Sequence, residues 1–350
     1  MLNHTWRLIR WSQPCVEEKI RTGRNAVKQF RTLTAAALSI LAALLVTGPA
    51  AAETYPSRGI RLVVPISAGS VTDVAARLTA QELSDRLGVN VVVENRPGTN
   101  MVVGAVECAK SDPDGYTLCI VSPDTMSYNP FLLANLPYDP GKDFRPVTNM
   151  YNVIEGLLGK QSLAAGSVAE LRTLAASGSS VTMGSVGGGT SDLFRLWLND
   201  IWKTNIVGVP FKGGSEIIGA LLAGTIDVSK IGMGNVAGQL EESKLKVLAL
   251  RSSKRNELLP NVPTFAEAGL GGFPGGPIFW GVVVPRATPD PIVERLNKEL
   301  MQILRGPKFT DFARKQFLEV EASSPEQFAA FLKEDREHAG ALIKTYMKTN

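Results

Sequence analysis

Histidine and cysteine are nearly missing from this chain. Its 350 residues contain two of the first, His4 and His338, and three of the second, Cys15, Cys108 and Cys119. So few soft ligands exclude a zinc site, and neither a C-x-x-C nor an H-E-x-x-H spacing occurs. A metal site would need carboxylates alone, and no cluster of them suggests one. The P-loop and the dinucleotide-binding G-x-G-x-x-G are also absent, so no cofactor is expected. Catalysis is poorly supplied as well. His338 stands in a charged helical pattern whose default is a solvated face, and Met183-Gly184-Ser185-Val186-Gly187 resembles a nucleophile elbow without its first glycine.

A long apolar run is missing too. The longest, Thr32 to Val46, is shorter than the ~20 residues a membrane span needs. It follows Lys28 and Arg31 and precedes Ala50-Ala51-Ala52, the order of a secretory signal. Residues 1–52 are therefore expected to be a signal peptide cleaved after Ala52. Their amino-terminal part is long for that role; initiation at Val27 gives an ordinary leader and makes residues 1–26 an upstream extension. The formal net charge of +4 belongs to this leader, which holds seven Lys or Arg against two acids. The remainder carries 30 basic and 31 acidic residues, a balance that does not suit nucleic-acid binding. Export makes a disulfide open to Cys108 and Cys119, but one lies in a helical pattern and the other in a strand. Two buried free thiols are expected.

After residue 55 apolar strand patterns alternate with helical ones, which predicts an α/β protein with mainly parallel sheets. Strands are expected at Ile60–Pro65, Val89–Glu94, Tyr116–Val121, Val181–Ser185, Asn205–Pro210, Ile226–Ser229, Lys246–Leu250 and Phe279–Val284. Helices are expected at Thr72–Leu87 and Met101–Lys110, and from Val168, Ser191, Ser215 and about Pro289. The chain is long enough for two lobes: residues 53–152 with about 275–350, and about 153–274 between them.

Three strands end in loops of small and hydroxylated residues: Ala68-Gly69-Ser70-Val71-Thr72-Asp73; Ser122-Pro123-Asp124-Thr125; and Gly184-Ser185 with Gly188, Gly189, Thr190 and Ser191. In the first, Ser70 and Asp73 fit a capping box, with Gly88 ending the helix that follows. Tight turning alone would explain one such loop. Three at carboxyl ends of strands suggest helix N-termini converging on an anion, held by amides and hydroxyls of Ser70, Thr72, Ser122, Thr125, Ser185, Thr190 and Ser191.

The stretches "YPSRGIRLVVPISAGSVTDVAARL", "VNVVVENRPG", "LPYDPGKDFRPVT", "VGVPFKGG", "NVPTFAEAG" and "FWGVVVPRATP" resemble, in order and spacing, the solute receptors of tripartite tricarboxylate transporters, the Bug proteins. The resemblance implies the type II periplasmic binding fold, two Rossmann-like α/β lobes with a ligand cleft between them. It also implies a periplasmic monomer without enzymatic activity that captures a small carboxylate or amino acid for membrane transporter subunits. Sensing with a membrane signalling protein is the alternative; an enzyme on the same scaffold is a further one. Several positions depart from the family pattern. Val71 replaces a glycine and would crowd the anion. Gly208 and Asp192 stand where histidines are usual, and Phe211 replaces a tyrosine. Lys230 and Ile231 replace an aromatic and an acid. Asp124 either faces the pocket, repelling a polyanion and pairing with an ammonium, or caps its own helix. Lys230 either holds a second carboxylate or snorkels to solvent.

Overall fold

Apolar runs separated by small-residue turns fold into two sheets in the computed structural model, which describes residues 55–347 apart from 187–189, 212–213 and 243. The expected leader lies outside the described residues.

The first sheet begins with β1 (Ile60–Val64), α1 (Val71–Leu87), β2 (Val91–Asn95), α2 (Val102–Ala109) and β3 (Thr117–Val121). A π-helical turn, Asp124–Tyr128, and the short α3 (Asn129–Leu132) lead to β4 (Phe144–Val153). The chain then enters the second sheet: β5 (Glu155–Lys160), α4 (Val168–Ala176), β6 (Thr182–Val186), α5 (Thr190–Trp202), β7 (Val207–Phe211), α6 (Gly214–Leu222), β8 (Val228–Gly232), α7 (Ala237–Glu241) and β9 (Leu245–Arg251). It returns through β10 (Ile278–Pro285), followed by α8 (Asp290–Leu304), α9 (Pro307–Lys315), β11 (Leu318–Val320) and α10 (Pro325–Tyr346).

The strand orders are β11-β4-β10-β3-β1-β2 and β7-β6-β8-β5-β9. Leaving aside the edge strand β11, each sheet follows one plan: its second, first and third strands, then one antiparallel strand arriving from the other lobe, then its fourth. The fold is thus two α/β lobes exchanging β5 and β10. Helices cover both faces of each sheet. In the first, Ala76 and Leu83 of α1 with Leu296 and Leu300 of α8 pack on one face, and Cys108 of α2 with Phe328 and Leu332 of α10 on the other. Strands buried on both faces read as continuous apolar runs, which is why β1 and β3 are so plain in the sequence.

Three details correct or extend the sequence reading. Cys108 and Cys119 form a disulfide, their Cα atoms 6.1 Å apart, rather than two free thiols. Both belong to one buried cluster, so the packing of α2 on β3 turns the helical cysteine toward the strand cysteine. β8 runs from Val228 to Gly232, later than the expected Ile226–Ser229, because Asp227 is occupied in bonding the Thr182 amide and hydroxyl, and the strand continues through a buried lysine. β4 and β5 carry the crossing and were not anticipated as strands. Pro146, lacking an amide hydrogen, and Asn149 mark the two irregularities in the pairing of β4 with β10. Among the described residues no helix is long and apolar enough to cross a membrane.

Candidate functional site

The loop after β1 is built around one aspartate. Ser70 caps α1, its Oγ accepting the Asp73 amide at 3.2 Å. The reciprocal half of the capping box is displaced by one residue, since the Asp73 carboxylate accepts from the Gly69 amide at 2.9 Å. Gly69 has φ +86°, a conformation that disfavours side-chain-bearing residues. The same carboxylate accepts from Arg77 Nε at 3.0 Å and Asn95 Nδ2 at 2.8 Å. Burial alone would raise the Asp73 pKa; these donors outweigh it and hold the group below the usual carboxylate range. Asp73 therefore fixes the loop and has its oxygens occupied. Among the described residues the amides of Ser70, Val71 and Thr72 have no backbone partner, and they point out of the N-terminus of a 17-residue helix. Ala68 is exposed and Thr72 buried, while Val71, the substitution set to crowd the site, packs against the first core.

The second loop leaves β3, the strand beside β1. Here the hydroxyls are already used. Thr125 Oγ1 accepts the Ser122 amide at 3.0 Å and donates to the Ser122 carbonyl at 2.9 Å, and Ser122 Oγ donates to Met101 Sδ at 3.2 Å. In this arrangement both hydroxyl protons are used within the protein. Asp124 is the first residue of the π-helical turn, and Pro123 occupies the cap position instead. Its carboxylate has only its own amide as a donor, and burial raises its pKa, although the residue keeps partial contact with solvent.

The third loop leaves β6 in the second sheet. Gly184 has no room for a side chain; an added Cβ would lie 2.6 Å from Ile226 and 3.3 Å from Phe211. Phe211 thus packs into the second lobe's apolar cluster. Ser185 is buried at the strand's end, and among the described residues its hydroxyl and that of Thr190 bond to nothing. Ser191 donates instead to the Lys230 carbonyl at 2.9 Å, so its proton is also spent. Gly188 and Gly189 lie outside the described residues. Leu193 of α5 joins Tyr128 of the π-turn in one buried cluster, which brings the second and third loops together.

Lys230 contradicts both sequence expectations. It neither faces a ligand nor reaches solvent; it is buried, with Nζ bonded to Glu155 Oε1 and 5.9 Å from the centre of the Phe194 ring. Arg251 Nη1 reaches Glu155 Oε2 at 3.1 Å, and its Nη2 bonds the Gly275 carbonyl. Burial opposes ionisation of Glu155, but Lys230 and Arg251 hold its pKa low. Burial lowers the Lys230 pKa against the pull of Glu155. Glu155 follows the first crossing between the lobes and Arg251 precedes the second, so this triad ties the crossings together.

Sequence reasoning missed Glu155 and Arg251, although each is a charge inside an apolar run, "NVIEGLLG" and "LKVLALR". It missed Asp335 of α10 as well, whose carboxylate oxygens are both buried without a well-formed hydrogen bond among the described residues. It also missed Arg195, which explains two departures at once. The Arg195 guanidinium fills the space above Gly208, 2.7 Å from where a Cβ would stand, and bonds Asp192 at 2.9 Å. Among the described residues no group of three or more His, Cys, Asp and Glu is placed to hold a metal ion.

Two lobes exchanging strands, with an unpaired helix N-terminus at the end of a first-lobe strand, define a solute-binding protein. The chain belongs to the tripartite tricarboxylate transporter family receptors, whose pattern residues 75–347 match. Protein BugT of Bordetella pertussis is 30% identical over 306 residues, covering 85% of this chain and 92% of BugT. An R. palustris protein solved with adipate is 30% identical with a TM-score of 0.74, covering 83% of this chain and 98% of its own. MatC of Rhodopseudomonas palustris, solved with bound malate, is also 30% identical, with a TM-score of 0.69 over 83% of this chain and all of its own. Members of the family are periplasmic solute-binding receptors.

Proposed function

We propose that this chain is exported by the leader ending at Ala52 and acts as a monomeric periplasmic receptor that carries a small organic carboxylate to the membrane subunits of a tripartite transporter. The lobes, residues 53–152 with about 275–350 and about 153–274, close on the solute, with no chemistry performed on it. The observation that carries this reading is the trio of unpaired amides at Ser70, Val71 and Thr72, held by a saturated aspartate at the positive end of a long helix. Such a site favours an anion without supplying a cation. Ser185 and Thr190 offer hydroxyls from the other lobe that bond to nothing among the described residues. The neighbours solved with adipate and malate support a carboxylate.

Thermal unfolding of the purified protein against mono-, di- and tricarboxylates, amino acids and aromatic acids tests the binding. A ligand at one hundred times its dissociation constant adds about 2.7 kcal/mol, a shift of several degrees. A carboxylate that shifts the transition supports the receptor; no shift from any of these classes refutes it. Loss of uptake of that carboxylate in cells lacking the gene tests delivery separately.

A further inference from the structure

We propose that Asp124 selects the solute, so that the cleft takes a monocarboxylate carrying a cationic nitrogen in preference to a dicarboxylate of the same length. The inference rests on the receptor reading and names which carboxylates that receptor prefers.

Asp124 stands at the carboxyl end of β3, next to the strand whose following loop bears the three unpaired amides. The residue retains partial contact with solvent, while enough protein surrounds it for burial to raise its pKa. A carboxylate in the wall of a narrow cleft shows both properties. No described side chain donates to it and no ion pair reaches it, its own amide being its one donor. An enclosed carboxylate without donors is costly, and the cost is relieved by a donor brought by the ligand.

The cations nearby are not free for a second ligand carboxylate. Lys230 and Arg251, which sit behind the third loop, both serve Glu155, and Arg251 also bonds the Gly275 carbonyl. Arg336, whose Nε donates to the Met126 carbonyl, acts on Asp335 and not on Asp124, so Asp124 is left without a counter-charge. The fields of Asp335 and Asp124 both raise the Tyr128 hydroxyl pKa, although Arg251, His338 and Arg336 offset that of Asp335. A solute with one carboxylate on the amides of residues 70–72 would place a second carboxylate against this negative wall. An ammonium there gives Asp124 the donor it lacks.

The test is calorimetric titration of the full chain, expressed with its leader, with three matched series of three to six carbons: unbranched monocarboxylates, their amino-substituted forms, and dicarboxylates. An amino-substituted monocarboxylate should bind about ten- to hundredfold tighter than the dicarboxylate of its length. Asp124→Asn should erase that preference and leave or improve dicarboxylate binding. Asp124→Ser serves if the Asn variant does not fold, with unfolding of the ligand-free variants as the control. A dicarboxylate bound tightest, with its preference unchanged in the variant, overturns the role of Asp124 and leaves the receptor intact. Absence of binding in all three series overturns the role of Asp124, and silence of the tricarboxylates and aromatic acids as well overturns the receptor.

Discussion

The two sheets share a strand plan but are held together differently. In the first, no charged strand residue is buried; apolar packing on both faces is locked by a disulfide between α2 and β3. In the second, the strand arriving from the other lobe brings Glu155 into a buried pairing with Lys230 and Arg251. The difference follows from where each device lies. The disulfide stiffens the frame beneath the first and second loops, well inside one lobe. The triad occupies both crossings, and buried ion pairs add little net stability over apolar packing while being costly to break. Such a pair fixes which partners meet there more than it strengthens the meeting.

Breaking the triad is the sharpest test of this contrast. Glu155→Leu leaves the buried Lys230 and the partly buried Arg251 uncompensated and should destabilise by about 3–5 kcal/mol. Glu155→Leu with Lys230→Met removes one cation together with the acid and should recover much of that loss. A double-mutant cycle in urea measures the coupling; additive losses would mean the triad is not a unit. The matching test of the first sheet is Cys108→Ala with Cys119→Ala. The bridge closes a short loop, with a sequence separation of 11. Its removal should cost about 3 kcal/mol on the loop-entropy account, with ligand affinity retained because no site loop is cut. Mass spectrometry of the unreduced protein checks that the bond is present.

The same contrast explains what was legible in the sequence. β1, β3, β9 and β10 begin and end within one residue of expectation, because strands buried on both faces need unbroken apolar runs. The second sheet was blurred where charge enters it: Lys230 made β8 look finished at Ser229, and β5 hid behind Glu155. Loop positions could be read from small residues after strands, and the Ser70 cap from its spacing to Asp73. The uses of individual hydroxyls could not. Whether Ser122 or Ser191 donates to a ligand depends on Met101 Sδ and the Lys230 carbonyl, 21 and 39 residues away. Arg195 over Gly208 is similar, since two odd substitutions become one arrangement only when α5 lies beside β7.

A smaller effect separates structure from binding inside the first loop. Asp73→Ala removes the acceptor for Gly69, Arg77 and Asn95 and should cost about 2 kcal/mol together with most of the ligand affinity. The folded pKa is lowered, so the Asp73 contribution is complete above the unfolded carboxylate range and fades as pH falls through the folded value. The stability gap between wild type and variant should therefore be full at pH 7 and close in acid. A gap independent of pH would mean that the charge of Asp73 is not what holds the loop.

The smallest expected effect has the opposite sign. Among the described residues neither buried oxygen of Asp335 has a well-formed hydrogen bond, and burial raises its pKa despite the neighbouring Ser127 hydroxyl and the charges of Arg251, His338 and Arg336. A raised carboxyl pKa means that the folded state holds its proton more tightly than the unfolded chain. Asp335 then destabilises the fold progressively as pH rises from the unfolded toward the folded value, and that penalty persists at pH 7. Asp335→Asn keeps the shape against Gly276, where no Cβ fits, and removes the charge. Its Tm should exceed that of wild type at pH 7, and the two should converge below pH 4, where both side chains are neutral. A lower Tm at pH 7 would instead mean that the ionised Asp335 is a working counter-charge for Arg251, and that the group tying the crossings includes it as a fourth member.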